Sequence, residues 1–205
     1  MIYKTEQEEF WAGEFGSSYI QRNQGEHAIA ANLSFFLAIF KKTSAIESVT
    51  EFGANIGLNL QALKLLYPEQ IQYGIEINPD AIQELKKIVT QENIFEGSIF
   101  DFKPIVQTTL SLIKGVLIHI NPDKLNDVYD LLYQTSKQYI LICEYYNPTP
   151  VEVNYRGHNG KLFKRDFAGE FMDKFSNVKL IDYGFVYKRD LSFPQDDITW
   201  FLMEK

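Results

Sequence analysis

The sequence has one cysteine, no long apolar run and no excess of positive charge, and each shortage excludes a class of protein. A single cysteine, Cys143, rules out an internal disulfide. No apolar stretch reaches the roughly 20 residues that a membrane-spanning helix needs, so we expect a soluble protein. Lys and Arg number 20 against 27 Asp and Glu, a formal net charge of −7. This balance argues against general nucleic-acid binding and favours a small-molecule partner.

Several motifs are also absent. The first residues lack the basic segment and apolar core of a secretory signal, so a cytoplasmic location is the expectation. We find no zinc-ligand spacing, nucleophile elbow, P-loop, heptad array or internal repeat, and we predict no metal site. The 205 residues are 45% hydrophobic and 15% aromatic. That length and composition fit one folded α/β domain.

The chain is organised around residues 48–60, where a β-branched run meets a glycine-bearing turn and then a helical pattern. Gly53 lets a ligand approach the backbone, and Gly57 lets the first helical turn pack closely on the strand. Asn55 lies between them and tolerates a left-handed backbone better than other residues with a side chain. The helix N-terminus that follows favours an anionic group. The pattern indicates either a ligand-binding turn or a plain strand-to-helix connection.

A second strand, predicted over residues 72–77, carries an acidic residue at its end. Glu76 follows the glycine turn at the interval typical of a βαβ unit that binds a nucleoside. There its carboxylate can accept hydrogen bonds from both ribose hydroxyls. The alternative is a surface carboxylate at the end of a strand. A helix is predicted to follow and to run to about Val89.

The pattern Glu51-x-Gly53-x-x-x-Gly57 is spaced differently from the dinucleotide-binding fingerprint. It resembles motif I of class I S-adenosylmethionine-dependent methyltransferases, with Asn55 in place of the usual middle glycine. The resemblance implies S-adenosylmethionine as the cofactor. It also implies that Ser98 and Ile99, after a third strand at 93–95, contact the adenine, with Asp101 as the alternative to Ser98. The predicted cofactor site as a whole contains Glu51, Gly53, Asn55, Gly57, Glu76, Ile77, Ser98, Ile99, Tyr19 and Arg22.

A histidine follows the predicted fourth strand, residues 110–114. Residues 115–122 resemble the segment after strand four in many small-molecule methyltransferases, and His119 would lie at the carboxyl edge of the sheet. It is either a general base or a side chain that satisfies neighbouring backbone groups. We name His119 as the candidate catalytic residue. The fifth strand, predicted over residues 139–143, is a nearly unbroken apolar run, as expected of a strand covered on both faces.

A long insertion separates the fifth strand from the last helix. Between residues 148 and 165 the composition changes to Pro, Gly, Asn, Tyr and basic residues, with no predicted secondary structure. Such a segment is either a functional loop or a solvated basic loop. Arg156 suits bidentate binding of a carboxylate or phosphate, and Lys161 and Arg165 add positive charge. The predicted substrate site contains Tyr145, Tyr155, Arg156, His158 and Lys164.

The N-terminal residues 5–23 carry aromatic side chains at roughly helical intervals, which predicts two short helices. Tyr19, Arg22 and Asn23 would share one helical face. They would then close over the carboxylate of a ligand. The alternative is a helix anchored on the core by its aromatic residues, with Arg22 in water.

The C-terminal strands, predicted at 178–188 and 198–203, have no helix between them and therefore form an antiparallel hairpin. Class I methyltransferases end in this way, whereas nicotinamide-binding Rossmann domains normally add a further parallel unit. The resemblance implies an α/β, Rossmann-like class I methyltransferase fold. Its sheet would have seven mostly parallel strands with a C-terminal antiparallel hairpin and helices on both faces. Within one domain, 1–205, we distinguish a helical cap (1–45), a cofactor-binding core (46–145), a substrate-loop insertion (146–170) and a hairpin region (171–205).

Longer stretches resemble a narrower group, the methyltransferases associated with pseudaminic acid biosynthesis. They are residues 5–11, 13–16, 115–121, 144–148, 155–157, 163–169 and 182–185. This resemblance implies O- or N-methylation linked to a nonulosonic acid sugar or to surface and flagellar glycans, with an acidic or nucleotide-activated sugar as the partner. Two alternatives stay open. One is a non-catalytic sugar- or cofactor-binding partner in a glycan-assembly complex, and the other is a nicotinamide-dependent oxidoreductase.

Overall fold

The computed structural model describes residues 3–22 and 25–205. Its strands are β1 (Ser48–Phe52), β2 (Ile71–Glu76), β3 (Ile94–Glu96), β4 (Thr108–Lys114), β5 (Ser136–Glu144), β6 (Val151–Glu152), β7 (Phe163–Lys164), β8 (Lys179–Val186) and β9 (Ile198–Glu204). Its helices are α1 (Glu6–Ala12), α2 (Glu14–Arg22), α3 (Glu26–Ile39), α4 (Leu58–Leu66), α5 (Pro79–Leu85), α6 (Leu125–Thr135) and α7 (Phe167–Lys174). Within these ranges, no helix combines the length and the hydropathy that crossing a membrane requires.

Seven strands form one sheet in the order β3-β2-β1-β4-β5-β9-β8. Strands β1 to β5 are parallel, while β9 runs antiparallel to both β5 and β8. This confirms the predicted Rossmann-like fold with its mostly parallel seven-stranded sheet and C-terminal hairpin. The strand order reverses between β1 and β4. Open parallel sheets bind ligands beyond the carboxyl ends of their strands at such a point.

Helices cover both faces of the sheet, as predicted. One face packs against α3 and α4 through buried residues such as Phe36 and Leu63. The other packs against α6 and α7 through residues such as Val128 and Phe171. Strand β4 lies between these layers and is buried along almost its whole length, because a parallel strand covered on both faces has no solvent side.

Local sequence signals start the helices near the cavity. Thr5 and Glu8 form a capping box at the start of α1. Asn78 caps α5, and a proline occupies the first turn of that helix. Helix α5 ends at Leu85, earlier than the predicted Val89. The reason is that the amides of residues 87 and 88 bond carbonyls three residues back, which tightens the chain into turns.

The insertion has secondary structure of its own, contrary to the prediction. Strands β6 and β7 pair antiparallel, and the Val153 amide extends the pairing by donating to the Leu162 carbonyl at 2.9 Å. Arg156 and Gly157 take positive φ angles of 52° and 90° and reverse the chain. The side chain of Leu162 is buried in the core. The insertion is thus a short β-arm anchored to the domain. The division of the chain into cap, core, insertion and hairpin stays a prediction.

Candidate functional site

A cavity of about 520 Å³ lies at the carboxyl edge of the parallel strands. The loops after β1 to β5 line it, together with α1, α2, the insertion and the segment between β8 and β9. The predicted site residues that line it are Tyr19, Gly53, Asn55, Glu76, Ile77, Ser98, Ile99, His119, Tyr145, Tyr155 and Arg156. Those that do not are Arg22, Glu51, Gly57, His158 and Lys164. The fold therefore brings most of the predicted cofactor and substrate residues into one enclosure.

The turn after β1 uses the left-handed backbone at three positions. Gly53, Asn55 and Gly57 have φ angles of 73°, 47° and 77°. A Cβ on Gly53 would lie 2.5 Å from Cγ2 of Val116, so the turn and the loop after β4 fit together only without a side chain there. A Cβ on Gly57 would lie 2.9 Å from Cδ1 of Leu85. The side chain of Leu85, at the end of α5, thus fills the space beside Gly57. That Gly57 lets the first turn of α4 pack on the strand stays a prediction.

The carboxylate of Glu76 links the loop after β1 to the loop after β2 through hydrogen bonds. One carboxylate oxygen accepts from the Asn55 amide at 2.7 Å. The other accepts from the amides of Ile77 and Asn78 at 2.9 Å and 2.7 Å. Burial raises the pKa of the carboxyl, and these three hydrogen bonds oppose the rise. Because a carboxylate offers about four lone-pair sites, capacity for roughly one further bond is left for a ligand.

Ser98 begins the short 3₁₀ turn Ile99–Asp101. Its hydroxyl oxygen accepts from the Phe100 amide at 3.0 Å, and the residue is buried at the cavity wall. A hydroxyl keeps a hydrogen to donate and a second lone pair. Asp101, the alternative adenine ligand, instead pairs with Lys4 at 2.6 Å and does not line the cavity. Between the two, the geometry favours Ser98.

His119 lies in the short turn Leu117–His119 after β4. Its Nδ1 lies 2.6 Å from the carbonyl oxygen of Lys161. Since a carbonyl only accepts, Nδ1 carries the hydrogen and the lone pair is on Nε2. Burial lowers the pKa of the ring to about 4, so it is neutral at neutral pH. The rings of Trp11 and Tyr155 lie 4.5 Å and 5.0 Å away, between centroids.

Glu144, at the end of β5, holds the loop that carries His119. Its carboxylate accepts from the amides of Val116, Leu117 and Ile118 at 3.0 Å, 2.9 Å and 3.4 Å. Burial raises the pKa of Glu144 to about 7, against the effect of these bonds. The sequence analysis did not assign this role. A carboxylate that directly ends an apolar strand was the available signal.

The N-terminal helices place aromatic rings over the cavity. Trp11 and Tyr19 pack edge to face with centroids 5.3 Å apart, and burial raises the pKa of Tyr19 to about 12. Arg22 is exposed and lies over the rings of Phe15 and Tyr19, at 5.4 Å and 5.9 Å from their centroids. Asn23, predicted on the same face, is outside the described residues. The geometry thus brings Tyr19 to the cavity and places Arg22 on the surface.

Much of the predicted basic patch on the insertion is used within the fold. Lys161 pairs with a glutamate of α1 at 3.2 Å, and Arg165 with one of α7 at 2.6 Å. The ammonium of Lys164 lies 5.1 Å from the ring centroid of Tyr145, behind the cavity wall. His158 is exposed and packs on phenylalanine rings of α1 and α2. Arg156 alone among these basic residues lines the cavity.

Lys114, the last residue of β4, is a cavity residue that the sequence analysis missed. Its ammonium donates to Oδ1 of Asn32 on α3 at 3.1 Å, and both residues line the cavity. Burial lowers the pKa of this lysine. A lysine at the carboxyl end of an otherwise buried strand was the signal that pointed to it.

Comparison with known proteins shows the fold. No protein-family model and no curated protein sequence matches the chain. Among solved structures, it is similar to the mitomycin 7-O-methyltransferase MmcR, with a TM-score of 0.68 and 13% identity. The match covers 98% of this chain and 61% of that one, so this chain spans less than two thirds of MmcR.

Two shorter proteins match along nearly their whole length. One is a S-adenosylmethionine-dependent methyltransferase from Archaeoglobus fulgidus, with a TM-score of 0.62 and 14% identity over 94% of this chain and 100% of that chain. The other is magnesium protoporphyrin IX methyltransferase from Synechocystis PCC 6803, with bound S-adenosylhomocysteine. Its TM-score is 0.66 and its identity 11%, over 97% of each chain. The chain thus has the fold of class I S-adenosylmethionine-dependent methyltransferases. The narrower resemblance to pseudaminic acid enzymes rests on the sequence stretches alone.

The residues present fit the cofactor that this fold implies. Gly53, Ala54 and Asn55 of the turn after β1 line the cavity. Buried polar atoms at the wall, Oδ1 of Asn59, Oε1 of Gln195 and Nε1 of Trp11, have no hydrogen-bond partner within the described chain. Such atoms are costly unless a ligand or water satisfies them.

Proposed function

We propose that this chain is an S-adenosylmethionine-dependent methyltransferase that acts on a small acidic molecule. The observation that carries the proposal is the common enclosure of three features at the reversal point of the sheet. They are the left-handed turn at Gly53 and Asn55, the carboxylate of Glu76 and the neutral ring of His119. The first two suit a nucleoside cofactor with an amino-acid tail, and the third suits removal of a proton beside it.

When bound, the cofactor supplies an electrophilic methyl group on its sulfonium. The chain then has two tasks, to hold an acceptor oxygen or nitrogen in line and to take its proton. Positioning supplies much of the rate in such reactions. His119 is the candidate base, and Nε2 receives the proton that the acceptor hydroxyl or amine loses. The hydrogen bond from Nδ1 to the Lys161 carbonyl keeps the ring in the tautomer that this transfer needs.

The acceptor that we propose is an acidic or nucleotide-activated sugar of the nonulosonic acid class, methylated on O or N in pseudaminic acid metabolism in the cytoplasm. The sequence stretches that resemble that group support this choice. Two features of the cavity agree with it. Arg156 lines it and makes no ion pair within the described chain, which suits a carboxylate. Trp11 and Tyr155 offer aromatic rings on which a sugar can stack.

The first test is calorimetric titration of the purified protein with S-adenosylmethionine and, in parallel, with NADH. We expect binding of S-adenosylmethionine in the micromolar range and none of NADH. Binding of NADH alone would favour the oxidoreductase alternative. Binding of neither ligand would favour the non-catalytic partner in a glycan-assembly complex. If the cofactor binds, nucleotide-activated nonulosonates are the first acceptors to screen.

The role of His119 has its own test. His119→Ala should reduce turnover by roughly 10²- to 10⁴-fold, the range for loss of a general base, with cofactor affinity unchanged. His158→Ala is the matched control, because that ring is exposed and lies outside the cavity wall. Loss of cooperative unfolding in the His119 variant alone would show a structural role instead.

A further inference from the structure

Helix α1 and the insertion meet at the cavity, and Gln7 joins them through a hydrogen bond. Nε2 of Gln7 donates to the carbonyl oxygen of Gly160 at 2.7 Å. Gln7 and Trp11 lie four positions apart on α1 and therefore share one face of the helix. Both line the cavity, and the Trp11 ring lies beside the ring of His119. Helix α1 thus contacts the candidate base through Trp11 and the neighbouring insertion through Gln7.

The burial of Gln7 is costly unless its amide has a specific role. The residue is only 7% exposed, and its Oε1 is buried without a hydrogen-bond partner within the described chain. A buried polar group that is only partly satisfied costs more than an apolar side chain of the same shape. Packing alone would therefore favour an apolar residue at this position. The hydrogen bond from Nε2 to Gly160 is what glutamine adds.

The carbonyl of Gly160 belongs to the peptide unit that leads into Lys161. Because a peptide unit is planar, fixing its oxygen leaves only φ and ψ of Lys161 between it and the Lys161 carbonyl. This second carbonyl is the one that lies 2.6 Å from Nδ1 of His119. Gly160 has a φ of 67° and, as a glycine, allows the peptide to rotate easily. Gln7 thus restrains the peptide unit that determines where the Lys161 carbonyl points.

We propose that Gln7 is a positioning residue for His119. It holds the peptide between Gly160 and Lys161 so that the Lys161 carbonyl accepts the hydrogen on Nδ1 of His119. The lone pair then stays on Nε2, where proton transfer needs it. The base is therefore competent only while α1 lies against the insertion. This inference rests on the proposed function, since a positioning role presumes that His119 takes a proton.

Nuclear magnetic resonance of ¹⁵N-labelled histidine side chains measures the tautomer and needs neither cofactor nor acceptor. The sequence has three histidines, and comparison with His119→Ala assigns the signals of this ring. We expect the Nδ1–H form of His119 in the wild-type protein. Gln7→Met removes the amide and keeps a strong helix former at the position. In this variant we expect loss of the single Nδ1–H form and the appearance of the Nε2–H form.

Glu6→Gln is the matched control. Glu6 precedes Gln7 on α1 and also contacts the insertion, through an ion pair with the Lys161 side chain at 3.2 Å, but its own side chain is 86% exposed. Since such an exposed ion pair contributes little, this variant should keep the Nδ1–H form. With a nucleotide-activated nonulosonate as acceptor, Gln7→Met should also lower kcat by roughly tenfold or more and leave the affinity for S-adenosylmethionine unchanged.

An unchanged tautomer in Gln7→Met would overturn the inference, as would the Nε2–H form in wild-type protein. Equal loss of the Nδ1–H form in Gln7→Met and Glu6→Gln would also overturn it, because it would indicate a general loosening of α1. Weaker binding of S-adenosylmethionine with an unchanged kcat would assign Gln7 to the cofactor instead.

Thermal unfolding checks that each variant folds. If Gln7→Met does not fold, Gln7→Glu carries the test, because an ionised carboxylate cannot donate to the Gly160 carbonyl. The proposed function fails separately, if wild-type protein binds no S-adenosylmethionine while the tautomers behave as expected.

Discussion

Substitution of Gly53 by alanine tests how the cofactor turn is built. The new Cβ would lie 2.5 Å from Cγ2 and 3.3 Å from Cγ1 of Val116. The φ angle of 73° adds a second cost, since an alanine in the left-handed region loses about 1–2 kcal/mol. Overpacking of a well-packed site costs about 1–3 kcal/mol. We therefore expect Gly53→Ala to lower the free energy of unfolding by about 2–5 kcal/mol.

A double-mutant cycle separates the two costs. Val116→Ala removes both methyl groups that face the new Cβ. In that background, Gly53→Ala should cost only the backbone term of about 1–2 kcal/mol. Urea unfolding of the four proteins, with linear extrapolation, measures each difference. Gly160→Ala is the control for backbone strain alone, because Gly160 has a φ of 67° and a Cβ added there would have no neighbouring atom within 4 Å.

The cycle can refute this reasoning in two ways. An equal cost of Gly53→Ala in both backgrounds would show that contact with Val116 is not the source. If Gly53→Ala lowers the free energy of unfolding by less than Gly160→Ala does, the turn relaxes without strain. Cofactor titration of the same four proteins then tells whether the restored fit between the two loops also restores the site.

Two further predictions concern buried carboxylates. Glu76→Ala should weaken cofactor binding by about 1.5–3 kcal/mol in calorimetry. It should also lower the melting temperature, because three backbone amides lose their hydrogen-bond acceptor. Unchanged cofactor affinity would contradict the assignment of Glu76 to the ribose. Burial raises the pKa of Glu51 from 4.5 to about 8, so between these values the folded protein holds a proton that the unfolded chain releases. Wild-type stability should therefore fall relative to Glu51→Gln as the pH rises through this window. Thermal unfolding of both proteins without cofactor measures the difference, and a difference independent of pH would count against a buried, strongly shifted carboxyl.

Local sequence alone was sufficient for much of the architecture. Strand β1, the turn after it and α4 follow from a β-branched run, two glycines and a helical pattern, all within short range. Asn55 adopts the left-handed backbone because its short polar side chain can form local hydrogen bonds. The C-terminal hairpin follows from two strand patterns with no helix between them. These features depend on backbone preferences and on periodicity, which neighbouring residues determine.

Pairings across the chain could not be predicted in this way. From the sequence, the insertion was interpreted as a basic loop. In the fold, Lys161 and Arg165 form ion pairs with carboxylates on α1 and α7, because folding brings distant acidic residues beside them. From the sequence, Glu144 was interpreted only as the end of a strand. Its carboxylate in fact accepts hydrogen bonds from backbone amides of the loop that carries His119. The same holds for the His119 tautomer, which depends on a carbonyl 42 residues away.

The fold class follows from the sequence, and most of the predicted site residues line the cavity, since parallel strands bring their carboxyl ends to one edge whatever the details of packing. Which of those side chains are free to act depends on contacts that form only in the folded chain. The sequence alone assigned no role to Lys114. Its environment depends on Asn32, 82 residues away, and on the absence of an acidic partner within the described chain. Burial, hydrogen-bond satisfaction and charge pairing are properties of the packed molecule. They determine which of the candidate residues form the site.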